Sequence, residues 1–516
     1  MTTTLRNTLF IILGVVIFCI AALLISNLIV KNKVEAFLTN DLPPHIQNSY
    51  DELSVNMLNG TLTLKQALVA VRNQTNDTVH TNFSAEKITI EDLDYWDYLF
   101  NDLVHFEAIQ LSNAAIEHHK NKYNSTKDST NANSSKLKRA FLIGNLSVDN
   151  TTVSMYDGTS DSTALYTDRL MIDVDSIRMD SQSITEKIPF AYGAYTVKTD
   201  TVFLKVSPYE NMTIQQLELH QGALDLKQIK LFTKYSRDKH AQLLEKERDH
   251  FDLRIDSLQL ATIDFGFTDN TFFAESHKLV LSNPKLDIFR NKLVADDPSI
   301  KPLYSKMLRE LPFALTIDSV AIKNGAIAYT EKVKQDNPGG TITFSALDAQ
   351  IANMSNTYGA NTKTEIHIDA QFMEQTPFTV DWSFDVNDQE DRFLFKSDVG
   401  PLTASRLNKF TEPNLGVKME GATNKTYFTI SGGNEAATID LRINYDEFKV
   451  TVMEKDEKND KNWFLSAVAN LFISKNSDDS ENDFREGSAQ VSRVKNRSFF
   501  NYLWLNVEAG LRKSLL

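Results

Sequence analysis

The residues of this chain that could do chemistry are few and badly spaced for it. His118 and His119 are the only adjacent pair among ten histidines. Two imidazoles side by side could offer nitrogens to one metal ion, but neighbours on a strand point to opposite faces. They are therefore expected not to share an ion. Asp296-Asp297 stands before Pro298 and reads as a turn or a helix cap. Asp478, Asp479, Glu481 and Asp483 bring four carboxylates together, without the alternating oxygens and the glycine of a calcium loop. A solvated acidic linker fits them better. There is no Gly-x-Ser-x-Gly elbow, no phosphate-binding Walker loop and no His-Glu-x-x-His. A carboxylate pair for sugar hydrolysis needs no local motif, and nothing in the sequence singles one out. The one cysteine, Cys19, allows neither an internal disulfide nor a thiolate zinc site. No catalytic residue, metal or cofactor is expected, and the chain reads as a binding or structural protein.

Charge narrows the partners. A net charge of −14 opposes nucleic acid, which selects a basic surface. Asn-x-Ser/Thr triplets recur at Asn59, Asn73, Asn124, Asn133, Asn145 and Asn353. Several fall in expected strands or turns, and they read as composition, not as glycan acceptors. The segment Thr8–Val30 is apolar over 23 residues, about 34 Å as a helix, enough for a hydrocarbon core of roughly 30 Å. It is longer than a signal-peptide core and shows no small-x-small cleavage site. An uncleaved transmembrane helix over 8–30 is expected, with residues 1–7 as a short tail.

The elements that would position any site are strands. Over Phe313–Glu331 the apolar residues alternate: Phe313, Leu315 and Ile317, then Val320 and Ile322, then Ile327 and Tyr329. Asn324-Gly325 between them predicts a two-residue hairpin turn, since both can take positive φ. Related patterns surround Asn59-Gly60, Asn113-Ala114, Asn150-Thr151 and Gln221-Gly222, and Phe251–Leu260 repeats Phe313–Ile322 almost step for step. Further strands are expected to begin at Asn82, Thr271 and Thr343. The spacing is irregular, so no fixed-period solenoid is implied.

Helices are predicted sparsely. Leu231–Arg248 is highly charged and predicts a solvated helix. Ser299–Leu311 places Leu303, Met307 and Leu311 on one helical face, and 456–474 predicts another helix. Tyr123–Ser135 reads as a loop and 475–488 as a polar linker. Residues 489–516 form an amphipathic segment with Phe500, Leu503, Val507 and Leu511 at helical spacing. It could cap the end of a sheet or lie in a membrane interface.

Amphipathic strands in this number can pair as two sheets or curl one sheet so that its apolar face lines a groove. An open groove needs an apolar occupant, because a large bare patch is costly in water. On a membrane-tied chain an acyl lipid is the natural one. The residues placed to face it are Leu217, Leu219, Leu224, Leu258, Leu260, Val320, Ile322 and Ile327.

One membrane helix followed by Leu53–Val71 (LSVNMLNGTLTLKQALVAV), degenerate amphipathic repeats and the closing strands of Val417–Met453 resembles the AsmA-like proteins of the bridge-like lipid-transfer superfamily. In the closing strands Ile439, Leu441, Ile443, Tyr445, Phe448, Val450 and Val452 fit the family pattern, while Ala437 or Thr438 stands where glycine is common. The resemblance implies a mainly β fold called a β-taco, a long antiparallel sheet over residues 34–455 curled lengthwise around an apolar groove. It implies an inner-membrane anchor, a periplasmic bulk, and phospholipid as cargo bound for the outer membrane or its upkeep. It brings no catalytic residues. Some 20 to 25 strands at about 4.8 Å each would span on the order of 100–120 Å, less than a periplasm generally measures. A partial conduit that works with other envelope proteins is expected, or else a scaffold for outer-membrane protein assembly.

Overall fold

The computed structural model describes residues 26–73, 76–94, 97, 103–123, 139–158, 162–183, 186–453, 477 and 483–515. Strands hold 61% of the residues and helices 14%, so the protein is mainly β, with a large and mostly antiparallel sheet. It divides into two compact units, Met1–Lys205 with Thr213–Gln221, and Val206–Met212 with Gly222–Leu516.

The first unit holds β1 (Ile46–Ser49), β2 (Glu52–Asn56), β3 (Thr61–Arg72), β4 (Val79–Leu93), β5 (Leu103–His119), β6 (Ala140–Asp157), β7 (Ser162–Met179), β8 (Tyr195–Thr199) and β9 (Thr201–Lys205). Next in the chain come β10 (Glu210–Ile214) and β11 (Gln216–His220), the latter paired to β8. The second unit continues with β12 (Ala223–Thr233), β13 (His250–Thr268), β14 (Thr271–Ser282), β15 (Lys285–Asn291), β16 (Ala314–Lys332), β17 (Gly340–Ser355), β18 (Lys363–Phe372) and β19 (Thr376–Asp385). It closes with β20 (Phe393–Val399), β21 (Leu402–Thr403), β22 (Val417–Gly432), β23 (Ala436–Val452) and β24 (Arg485–Ser492). Its helices are α1 (Arg237–Leu243), α2 (Tyr304–Arg309), α3 (Asn408–Leu415) and α4 (Phe499–Leu515).

The hairpin expected at Asn324-Gly325 is not there. β16 runs straight through it, and its pairing with β17 slips between Ile322 and Gly325 and again between Gly325 and Ile327. Asn324 does take φ +52°, but as the extra residue of a β-bulge. A bulge and a tight turn both call for a residue that tolerates positive φ, so the dipeptide alone does not separate them. Asn150 (φ +49°) is likewise a bulge inside β6, and Asn113 (φ +52°) and Thr262 (φ +54°) sit inside β5 and β13. The chain does turn at Asn59-Gly60 and Gln221-Gly222, where the glycines have φ +60° and +84°. The repeated pattern thus marks long bulged strands more often than hairpins.

Among the described residues, parallel pairing interrupts the antiparallel run at one place in each unit. In the first, β5 lies parallel to β6, and in the second β14 and β15 lie end to end, parallel to β16. Parallel neighbours need a crossover. In the second unit residues 292–313 supply it and carry α2.

The main core lies in the second unit beneath α4. Phe499, Tyr502 and Leu503 pack against Phe393, Phe395, Ile430, Ile439 and Leu441, with Val507 and Leu511 beside them. Ile430 and Ile439 have no exposed surface. The C-terminal segment is therefore a sheet cap, though its first residues, 489–492, complete β24. Phe500 does not join the core face as its spacing suggested. It is 62% exposed, and Phe499 goes in instead.

The other helical expectations also shift. Leu231–Arg248 is strand as far as Thr233 and helix only over α1, and Glu247 and Arg248 form ion pairs, Glu247 with its side chain buried and Arg248 still exposed. Leu303, just before α2, and Leu308 within it reach the core, while Met307 is exposed. Helix 456–474 lies outside the described residues, as do half of the 475–488 linker and most of the Tyr123–Ser135 loop and of the apolar segment, of which 26–30 are described as helical; residues 485–488 of the expected linker are strand, in β24. Among the described residues no helix is long and apolar enough to cross a membrane.

Candidate functional site: an apolar track across the strands

Alternation on one strand becomes a track when registers match from strand to strand. In the second unit the cross-strand partners run Leu224, Leu260, Leu279, Val320, Ile351, Ile366, Trp382, Phe395, Ile430, Ile439 and Ala489. That row crosses eleven strands, roughly 48 Å at 4.8 Å per step, without one polar side chain. Two residues along, a second row runs Leu226, Leu258, Leu281, Ile322, Ala349, Ile368 and Val380. Past the bulge Ile327 pairs with Phe344 and joins Ile322 in a cluster around Leu347, Ala349 and Ala370.

The residue between the two rows on each strand points the other way and is mostly polar. Asp225, Gln259, Gln350, His367, Asp381, Lys396, Asp440 and Ser488 occupy that line. Gln259 donates to Asp225 at 2.7 Å, and His367 bonds Asp381 at 2.7 Å and Asp369 at 3.2 Å. The bond to Asp381, helped by the charge of Asp369, raises the His367 pKa above its ordinary value. Along these rows one face of the sheet is largely apolar, broken where Ser397 stands opposite Val380, and the other is mostly polar, with Val280 and Ala321 as its apolar members.

Burial along the track is uneven. The cluster beneath α4 reaches as far as Ile366 and Ile368 of β18. From β12 to β18 the row residues are half-buried, apart from Val320 and Ala349. Such a surface accepts apolar contact along its length. It holds no nucleophile, base or charge that could act on a ligand.

The first unit repeats the arrangement. One row runs Val55, Leu62, Ile90, Ile109, Leu146, Val174 and Tyr195, and the other Leu53, Leu64, Ile88, Leu111, Val148, Ile172, Val197 and Leu219. All but Leu53 are half-buried.

Of the eight residues expected to line a groove, Leu224, Leu258, Leu260, Val320, Ile322 and Ile327 share the track of the second unit, while Leu217 and Leu219 belong to the first. Leu217 stands opposite the buried Thr199, beside the track and not in it. Val320, expected to face an open interior, is only 3% exposed and is a packed core residue. Leu279, Leu281, Ile351, Ile366 and Ile368 are track members that sequence reasoning missed. Their period-2 alternation was the available signal.

His118 and His119 do face different neighbours: His118 Nδ1 bonds Thr81 at 2.9 Å, and His119 stacks on Tyr156. Asp94, Asp97 and His105 converge in the first unit, where His105 Nδ1 lies 3.0 Å from Asp97. Unpredicted by spacing, this trio has the contacts of an ordinary hydrogen-bonded loop. The chain matches no known family model, no curated protein and no solved structure.

Proposed function

We propose that the protein binds the acyl chains of phospholipid along these apolar tracks, from an anchor in the inner membrane with its bulk in the periplasm. In this role it contributes to lipid movement toward the outer membrane or to upkeep of that membrane. The observation that supports the reading is the matched register of the second unit, where the two apolar rows from β12 to β18 are half-buried except at Val320 and Ala349. A hydrocarbon chain is the ligand that such a surface suits. It asks for no hydrogen bond, tolerates sliding, and gains about 0.8 kcal/mol for each methylene removed from water. The apolar stretch Thr8–Val30 supports a membrane as the source of that ligand.

The experiment is native mass spectrometry with lipid extraction on the full chain, compared with a Leu258→Asp/Leu260→Asp variant. Both positions are half-buried, so a charge there reaches the track without entering the core under α4. The reading expects phospholipid bound to the wild type and lost from a variant that keeps its circular dichroism. Equal lipid on both proteins contradicts it.

A further inference from the structure

Helix α1 is seated on the second unit through one side chain. Of its residues only His240 is buried, at 2% exposure, while Arg237, Asp238, Lys239, Gln242 and Leu243 are exposed. The His240 ring stands edge-on to two others, Tyr209 just before β10 and His250 of β13, with centroids 5.4 and 5.7 Å away. Both of its nitrogens are shut off from water, and neither has a hydrogen-bond partner. The Arg248 backbone comes near the ring without reaching hydrogen-bond geometry. A neutral imidazole leaves one N–H unpaired in such a place, and an imidazolium would leave two and a charge. The seat therefore suits the neutral ring alone.

The groups that face His240 oppose its protonation on balance. Glu210 is the acid among them, and its carboxylate already accepts two bonds from Arg248, at 2.9 and 2.6 Å. Arg248 and His250 face the ring from the start of β13, and His250 Nε2 is bonded to the Tyr235 carbonyl at 2.9 Å. Burial lowers the His240 pKa, and His250 and Arg248 push it the same way against the pull of Glu210. At the other end of α1 the Arg237 guanidinium lies over the buried Phe289 ring, 4.6 Å from its centroid. We propose that α1 is an acid-released clasp, seated over Tyr209, His250 and Phe289 by the neutral ring of His240 and unseated when that ring gains a proton. The clasp is separate from acyl binding along the track and does not depend on it.

The test is hydrogen–deuterium exchange of the full chain at about pH 7.5 and about pH 5.5, on either side of a free imidazole's pKa. Rates are corrected for intrinsic exchange and read over residues 236–246. A freed ring takes its proton near 6.5, so protection of this segment should fall about tenfold between the two conditions. Helix α3, which has no histidine, should change less than about twofold. His240→Phe fills the seat with a ring that cannot titrate, and should keep the protection of neutral pH and lose the acid response. His250→Gln should keep the response. Unchanged protection in the wild type overturns the proposal, as does a response that persists in His240→Phe. A response lost in His250→Gln assigns the switch to His250 and overturns it too. An NMR titration of the wild-type His240 ring tests the same claim without relying on a variant's fold. A midpoint below that of a model peptide is expected, and one at or above it overturns the proposal.

Discussion

The side-chain amide of Asn324, inside β16, donates to the side-chain oxygen of Asn283, in the bend between β14 and β15, at 2.8 Å, and both residues stand at positive φ. In the other unit Asn150 bonds Asn113 in the same way at 2.5 Å. Each acceptor asparagine donates onward to a carboxylate, Asn283 to Asp256 at 2.9 Å and Asn113 to Glu86 at 2.5 Å. Two units with little sequence in common thus tie a bulged asparagine of one strand to a second positive-φ asparagine across their parallel pairing.

Replacing Asn324 should separate the two roles. Asn324→Gly keeps the backbone conformation and loses one exposed hydrogen bond, at about 0.5–1 kcal/mol. Asn324→Val adds a β-branched residue at positive φ, and should cost about 2–3 kcal/mol in a urea melt. Equal costs would mean that the left-handed backbone carries no strain.

Adjacent phenylalanines on α4 should differ sharply. Phe499→Ala empties a site shared with Trp382 and Phe393 and should cost about 3–5 kcal/mol. Phe500→Ala removes an exposed ring and should stay within about 0.5 kcal/mol. Thermal unfolding of the two variants measures the difference.

This pair also shows what the sequence could reveal. Strand alternation identified a mainly β chain, and the long apolar runs marked most of the track. Period-3.6 spacing found α4 but chose Phe500 over Phe499, because helical phase is set by where β24 ends, and that ending is a tertiary fact. Asn-Gly indicated positive φ at Asn324 but not whether the chain reverses there, since that depends on the partner strand. The joining of separate runs into rows was illegible for the same reason. Cross-strand register across ten neighbours leaves no local mark.

Glu210 and Arg248 form a bidentate pair in the second unit, at 2.9 and 2.6 Å. Burial raises the Glu210 pKa, but the bonds from Arg248 and Ser207 outweigh burial and hold the carboxyl below its usual range. A lowered carboxyl contributes stability above its unfolded pKa, near 4.3, and loses it as pH falls through the folded value. Arg248→Met strands a buried carboxylate and should cost about 2–4 kcal/mol at neutral pH, more than Glu210→Gln. The acid limb of the wild-type stability curve should flatten in Glu210→Gln.

His367 works with the opposite sign. Its raised pKa means that pairing with Asp381 and Asp369 stabilises the fold fully below the unfolded value, near 6.5. That contribution disappears as pH rises through the folded pKa. The site is exposed, so the gain should be about 0.5 kcal/mol or less. An NMR titration of the His367 ring should give a midpoint above that of a model peptide, and Asp381→Asn should bring it down.

The central claim, that one face of the sheet contacts acyl chains and the other does not, is tested most directly by photocrosslinking in cells grown with labelled phosphate. A photoreactive phenylalanine at Leu260 or Ile366, on the track, should capture phospholipid. The same probe at Gln259 or His367, one residue away on the polar face, should not. Lipid adducts at all four positions, or at none, would contradict the account, and an adduct-free track would favour the scaffold reading.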